Sequence, residues 1–152
     1  MSAGPAPGPA QGPRSGSHPS IRPARPDDLP AVLELWEVAT QPSHTDDLDS
    51  LAHLLAQDAG ALLVAEDEGG IVGSVIAAWD GWRGTIHRLA VAPSHRHRGL
   101  GRRLLQAGEE RLDALGVVRM QAIVIETDDT AMGFWRATDW DEQTERIRFT
   151  KG

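Results

Sequence analysis

Hydrophobic positions change period several times along this 152-residue chain, and each change marks an element. Ile21-Arg22-Pro23-Ala24 predicts a short edge strand, because proline is tolerated only where no ladder N–H is needed. Asp27 offers a helix N-cap, and Leu29, Val32, Leu33 and Trp36 follow at helical spacing, with Glu34 and Glu37 opposite. Gln41-Pro42-Ser43 breaks that helix. Thr45 to Gln57 predicts a second, with Leu48, Leu51, Leu54 and Leu55 as its stripe and Gly60 as its stop. Two apolar runs, Ala61 to Ala65 and Ile71 to Ala78, flank the turn sequence Asp67-Glu68-Gly69-Gly70, which is a hairpin signal. A second turn, Asp80 to Gly84, leads into a strand over Thr85 to Val91, ended by Pro93. Leu104, Leu105, Leu112 and Leu115 stripe a helix over 100–115, and Gly116 closes it. Val117 to Ile125 predicts an almost wholly apolar, central strand. Asp128 or Asp129 caps a short helix through Ala137, and the alternation over Thr144 to Thr150 predicts a last strand. The order β-α-α-β-β-β-α-β-α-β describes an α/β (α+β) fold, a mixed sheet with helices on both faces.

Composition narrows the class. Residues 1–20 are mostly Gly, Pro, Ala and Ser and read as a disordered tail, which leaves residues 21–152 for one domain. The chain has no cysteine, which excludes disulfides, Cys-based metal sites and a thiolate nucleophile. No apolar run approaches the ~20 residues of a membrane span, and the opening segment does not look like a secretory signal, so a cytoplasmic protein is expected. Net charge is −7, against a generally basic nucleic-acid surface. Yet residues 81–108 hold Arg83, Arg88, Arg96, Arg98, Arg102 and Arg103 without a single Asp or Glu. A cationic zone in an acidic chain suggests a bound anion of modest size.

The zone has the right local form for one. A strand, Thr85 to Val91, runs into a loop that opens a helix, and the first N–H groups of a helix have no partners within it. The helix dipole adds about half a positive charge there, and Gly99 and Gly101 let an anion approach the backbone. A Walker loop is excluded, because it needs Gly-Lys and the only lysine is Lys151. A dinucleotide GxGxxG fails at Leu104, and no GxSxG elbow exists. His95-x-His97 has metal-like spacing but no nearby carboxylate ligand, so no metal is expected.

What fits is R-x-x-G-x-G, here Arg96-His97-Arg98-Gly99-Leu100-Gly101 after a strand ending Leu89-Ala90-Val91. Together with the order of elements over residues 20–151, this resembles the GNAT superfamily of N-acetyltransferases. Trp79-Asp80-Gly81-Trp82-Arg83-Gly84 further resembles a bacterial subgroup with an aromatic-Asp-Gly-x-Arg-Gly hairpin. The resemblance implies a single-domain, mostly antiparallel sheet whose central strand pair, 85–91 and 118–126, splays apart. It implies acetyl-CoA as co-substrate and an amine as acceptor. Leu89, Ala90 and Val91 would offer backbone groups to the pantetheine arm, with the Val91 N–H polarising the thioester carbonyl. The backbone from Arg96 through His97, Arg98, Gly99, Leu100 and Gly101 to Arg102 would cradle the pyrophosphate.

Two positions depart from the family pattern. Asp128 and Trp135 stand where the family usually has Asn and a Tyr that protonates the leaving thiolate. An indole N–H does not give up its proton near neutral pH, although a thiol with a pKa near ~8.5 can leave unaided. Asp128 reads most simply as a helix N-cap. An alkyl ammonium of pKa ~10.4 must lose a proton before it attacks. Candidate bases are Glu126, then Asp80 and His87. Trp79 and Trp82 flank the turn at the expected acceptor mouth. The acidic surface favours a cationic acceptor, such as a polyamine, an amino sugar or a peptide amine. A non-catalytic acyl-CoA-binding domain is the alternative. An RNA-binding module would use the arginines but lacks an aromatic platform. A monomer or a homodimer is expected, with neither nucleic acid nor membrane as partner.

Overall fold

A computed structural model describes residues 18–152; most of the expected tail lies outside the described residues. Those residues form two compact units, one ending at Ala122 and one running from Ile123 to Gly152.

The first unit is a five-stranded sheet in the order β1-β2-β3-β4-β5. Its strands are β1 (Ser20–Pro23), β2 (Leu62–Asp67), β3 (Gly70–Trp79), β4 (Gly84–Val91) and β5 (Met120–Ala122). The first three pairings are antiparallel and β4–β5 is parallel. Helices α1 (Leu29–Ala39), α2 (Leu48–Gln57) and α3 (Leu100–Ala114) belong to this unit. Alternation along β3 sends successive side chains to opposite faces. Ser74 meets Trp36 of α1 on one face, while Val75 and Ile86 lie against Gly108 of α3 on the other. The core that α1 and α2 make with the sheet includes Val32, Leu35, Trp36, Leu51, Leu62, Val64 and Ile76. On the opposite side α3 seats closely because two glycines face it. A Cβ on Gly73 would stand 2.7 Å from Leu104, and one on Gly84 would stand 2.7 Å from Leu112. No helix among the described residues is long and apolar enough to cross a membrane.

Local details differ from expectation for identifiable reasons. Asp27 is not the cap of α1. Pro26–Asp28 forms a 3-10 turn, and Asp28 is committed elsewhere, accepting from the Arg25 N–H at 2.7 Å and pairing with Arg22 at 2.8 Å. The second helix starts at Leu48, three residues late, because Asp47 caps it by accepting from the Ser50 N–H at 2.7 Å. Leu48 is then half exposed and does not join the stripe. The expected strand over 117–125 is cut to Met120–Ala122 and lies at the edge of the sheet. The expected strand over 144–150 is not part of the ladder. Its alternating Ile147 and Phe149 are 81% and 91% exposed, so the apolar face its period predicts is not buried.

The second unit contains α4 (Asp129–Arg136). Asp128 is its N-cap, accepting from the Ala131 N–H at 3.0 Å. Trp135 meets Phe134 and Trp140 edge to face, at 5.7 and 4.9 Å between centroids. Arg136 pairs with Glu142 at 2.8 Å.

Candidate active site

The two halves of β4 are built differently. Over Gly84 to Ile86 the strand is paired on both sides, with β3 and, in parallel, with Met120 to Ala122. The Gly84 N–H donates to the Arg119 carbonyl at 2.9 Å, so Gly84 turns its backbone toward β5. Beyond Ile86 the pairing with β5 ends, while β4 continues to Val91 against β3 alone.

An extra residue sits in this second half. His87 pairs with Ile76 and Ala90 with Ser74, so three steps on β4 match two on β3, which is a β-bulge at Arg88–Leu89. Arg88 adopts φ +50°, unusual for a side chain of its size. Past the bulge, Ala92 donates to the Val72 carbonyl at 2.8 Å, and Ala90 again faces Ser74. Backbone direction alternates along a strand, so Val91, between these two, points its N–H and C=O away from β3. Its carbonyl is met on that side by Arg96 Nε at 3.3 Å.

The bulge is heavily restrained. Trp36 Nε1 donates to Ser74 Oγ at 2.9 Å, and that hydroxyl donates to the Arg88 carbonyl at 2.8 Å. The Arg88 guanidinium donates to both Asp46 oxygens at 2.7 and 2.6 Å, to Thr40 Oγ1 at 3.0 Å and to the Gln41 carbonyl at 2.9 Å. It also lies 5.2 Å from the centroid of the Trp36 ring. Ser74 is the one buried polar side chain among the described residues, fully enclosed within an apolar run. Sequence reasoning passed over it. The signal was there, since a lone serine in such a run demands a hydrogen-bond partner.

After Val91 the chain makes a 3-10 turn, Pro93–His95, and then the loop that opens α3. His97 takes φ +64° and Gly99, the N-cap, takes φ +80°. These two left-handed residues coil the backbone so that it arrives at the helix mouth in a few steps. The first helical bond runs from the Arg103 N–H to the Gly99 carbonyl at 3.1 Å, leaving the N–H groups of Leu100 and Gly101 ahead of it. Leu100 is buried and anchors the helix, whereas His97, Arg98, Gly99 and Arg102 are exposed. The first turn of α3 carries no acidic residue, so nothing there opposes the dipole. The donors and charges suit an anion such as a diphosphate, and the backbone at Gly99 is approachable, since an added Cβ would meet nothing within 4 Å.

The loop is tied from below. His95 Nε2 lies 2.7 Å from Asp67 Oδ2 at the end of β2, and its Nδ1 lies 2.7 Å from Ser94 Oγ. Asp67 also accepts from the Gly69 N–H at 2.8 Å. Burial pushes the Asp67 carboxyl upward, but the His95 bond, the Gly69 N–H and the charges of His95 and Arg98 outweigh it and hold it below the usual range.

Of the three candidate bases, Asp80 is committed to its turn. Its Oδ1 accepts from the Arg83 N–H at 2.7 Å and the Trp82 N–H at 2.9 Å, and these bonds lower its pKa. His87 is exposed on β4 one residue before the bulge. Glu126 is exposed in the turn preceding α4, where its charge helps to raise the Arg136 pKa after the larger effect of Glu142. Trp79 and Trp82 are 42% and 58% exposed, and the Arg83 guanidinium lies 4.2 Å from the Trp82 ring centroid.

A bulged strand with an outward N–H thus runs into a positive-φ loop at a helix mouth. Comparison with known proteins identifies the family. Residues 29–140 match the model of the acetyltransferase (GNAT) family. An acetyltransferase of Pectobacterium atrosepticum is 35% identical over 123 residues, covering 80% of this chain and 86% of the relative. The chain therefore belongs to the GNAT family of acetyltransferases. Two solved structures share its fold. One is an aminoglycoside 6'-N-acetyltransferase of Acinetobacter haemolyticus (19% identity, TM-score 0.71, covering 88% of this chain and 98% of that one). The other is an aminoglycoside N-acetyltransferase in complex with CoA (21% identity, TM-score 0.69, 91% and 95%).

Proposed function

We propose that this protein is a cytoplasmic N-acetyltransferase that uses acetyl-CoA to acetylate a primary amine of a small molecule or peptide, through a domain spanning residues 21–152. The observation that carries this reading is the outward Val91 N–H on the half of β4 that pairs with β3 but not with β5, just ahead of the helix mouth. Acetyl-CoA supplies an activated acetyl group, which exchanges its C–S bond for a C–N bond and releases a thiolate. The Val91 N–H donates to the thioester oxygen, where negative charge grows as the amine attacks. Leu89 guides the pantetheine arm along the strand, whereas the Ala90 backbone, expected to share that task, is turned by the bulge into the ladder opposite Ser74. The backbone from His97 to Arg102, with Arg96 and Arg98, holds the pyrophosphate. Glu126 takes the amine proton, directly or through water, and a positioned base of this kind typically contributes ~10²–10⁴ in rate. Asp80 and His87 are second choices, Asp80 because its turn bonds reduce its basicity.

One observation favours a non-catalytic acyl-CoA-binding domain instead. Trp135 stands where the family has its proton-donating tyrosine. Incubation with acetyl-CoA and a panel of polyamines, amino sugars and peptides, following free thiol, decides between them. Thiol release with one amine class is expected. Calorimetric binding of CoA without thiol release from any amine supports the binding domain, and no binding heat removes both.

A further inference from the structure

We infer that Trp36, Ser74, Arg88 and Asp46 are positioning residues that set the direction of the Val91 N–H. The inference rests on the proposed role of that N–H toward a thioester carbonyl. Direction follows from register. Without the extra residue, β4 would run from the His87–Ile76 pair to Leu89 opposite Ser74 and Val91 opposite Val72. Val91 would then turn its N–H into the ladder with β3, and Ala90 would face away from β3. The bulge reverses this parity for every residue after it.

Sterics alone do not favour the bulge, because Arg88 must adopt φ +50°. Two restraints hold it. Ser74 Oγ grips the Arg88 carbonyl and is itself fixed by the Trp36 indole N–H. Asp46, Thr40 and Gln41 grip the Arg88 guanidinium, which also faces the Trp36 ring. Trp36 therefore serves both restraints, one with its edge and one with its face. None of the four needs to touch the acetyl group, because each acts through the backbone of residue 88.

The test reads the electrophile directly and needs no acceptor. Infrared difference spectra of acetyl-CoA labelled with carbon-13 at the thioester carbonyl are recorded free and bound. Wild type is expected to lower the bound carbonyl frequency. Ser74→Ala is expected to return about half or more of that shift toward the free value, and Asp46→Asn a smaller part. In both variants the CoA dissociation constant by calorimetry should stay within about twofold, since the helix mouth is untouched. Leu112→Ala, a core substitution in α3 against Gly84 at the other end of β4, should keep the full shift and controls for general loosening. Asp46→Asn removes no buried apolar group and keeps the test open should Ser74→Ala not fold. A wild-type shift that persists in both variants overturns the positioning assignment alone. No shift in wild type overturns the role of the Val91 N–H, and the assignment with it.

Discussion

Arg88 and His97 are the two non-glycine residues among those described that adopt positive φ, and their surroundings differ completely. Arg88 is bonded through its carbonyl and all along its guanidinium, over a buried indole. His97 is exposed in the loop before α3. A strained backbone persists only where the rest of the structure dictates it. The bulge meets that demand with side chains from α1, β3 and the segment between α1 and α2. The loop meets it with Gly99 and with the His95–Asp67 bond two residues before His97, and no side chain among the described residues grips residue 97 itself. The contrast separates a residue held through its own carbonyl and side chain, suited to aiming one N–H, from one held only through its neighbours, beside a helix mouth suited to a polyanion.

The sharpest way to break the contrast is Arg88→Met. It leaves the Asp46 carboxylate, whose side chain is 16% exposed, without its guanidinium, and the strained backbone with only the Ser74 restraint. A loss of about 2–3 kcal/mol in denaturant unfolding is expected, below the range for fully buried pairs because Asp46 reaches some solvent. A stability unchanged within error would show that the bulge does not depend on this pair. Next in size is acid sensitivity away from the site. Arg22 donates to the Asp28 carboxylate and holds its pKa down to about 2. That stabilisation is complete above the ordinary carboxylate pKa and fades as pH falls from about 4 toward 2, a contribution of about 1–2 kcal/mol after solvent screening. Asp28→Asn should flatten the unfolding free energy between pH 4 and about 2. An unaltered slope would assign the acid response to other carboxylates.

Gly99→Ala should cost about 1 kcal/mol, because φ +80° strains any Cβ although space is free around it. The same substitution should weaken CoA binding severalfold in calorimetry. The smallest effect sharpens the contrast most. His97→Gly relieves φ +64° with few contacts to lose and should raise stability by up to about 0.5–1 kcal/mol, whereas Arg88→Gly, in the same backbone region, should lower it. Equal signs in thermal unfolding would erase the distinction between the two sites.

The strand, loop and helix over 84–114 were legible in the sequence because their signals are local: an apolar run, Pro93, two glycines and a leucine stripe. The bulge was not. Nothing in His87-Arg88-Leu89-Ala90 announces an extra residue, and its supports lie 14 and 42 positions away, in Ser74 and Asp46. The period over 144–150 was read correctly as alternation, but alternation does not supply a neighbouring edge. Asp27 and Asp28 differ by which one an arginine claims, a choice made by Arg22 from the adjoining strand. Local chemistry set the elements, and distant side chains set their junctions.

The carboxylate of Asp67 answers to two masters, the Gly69 amide through one oxygen and the His95 ring through the other. A displacement of the ring is therefore expected to reach the amide through one shared group. The Gly69 resonance in a nitrogen–proton spectrum then serves as a gauge of His95, read from the tip of the neighbouring hairpin.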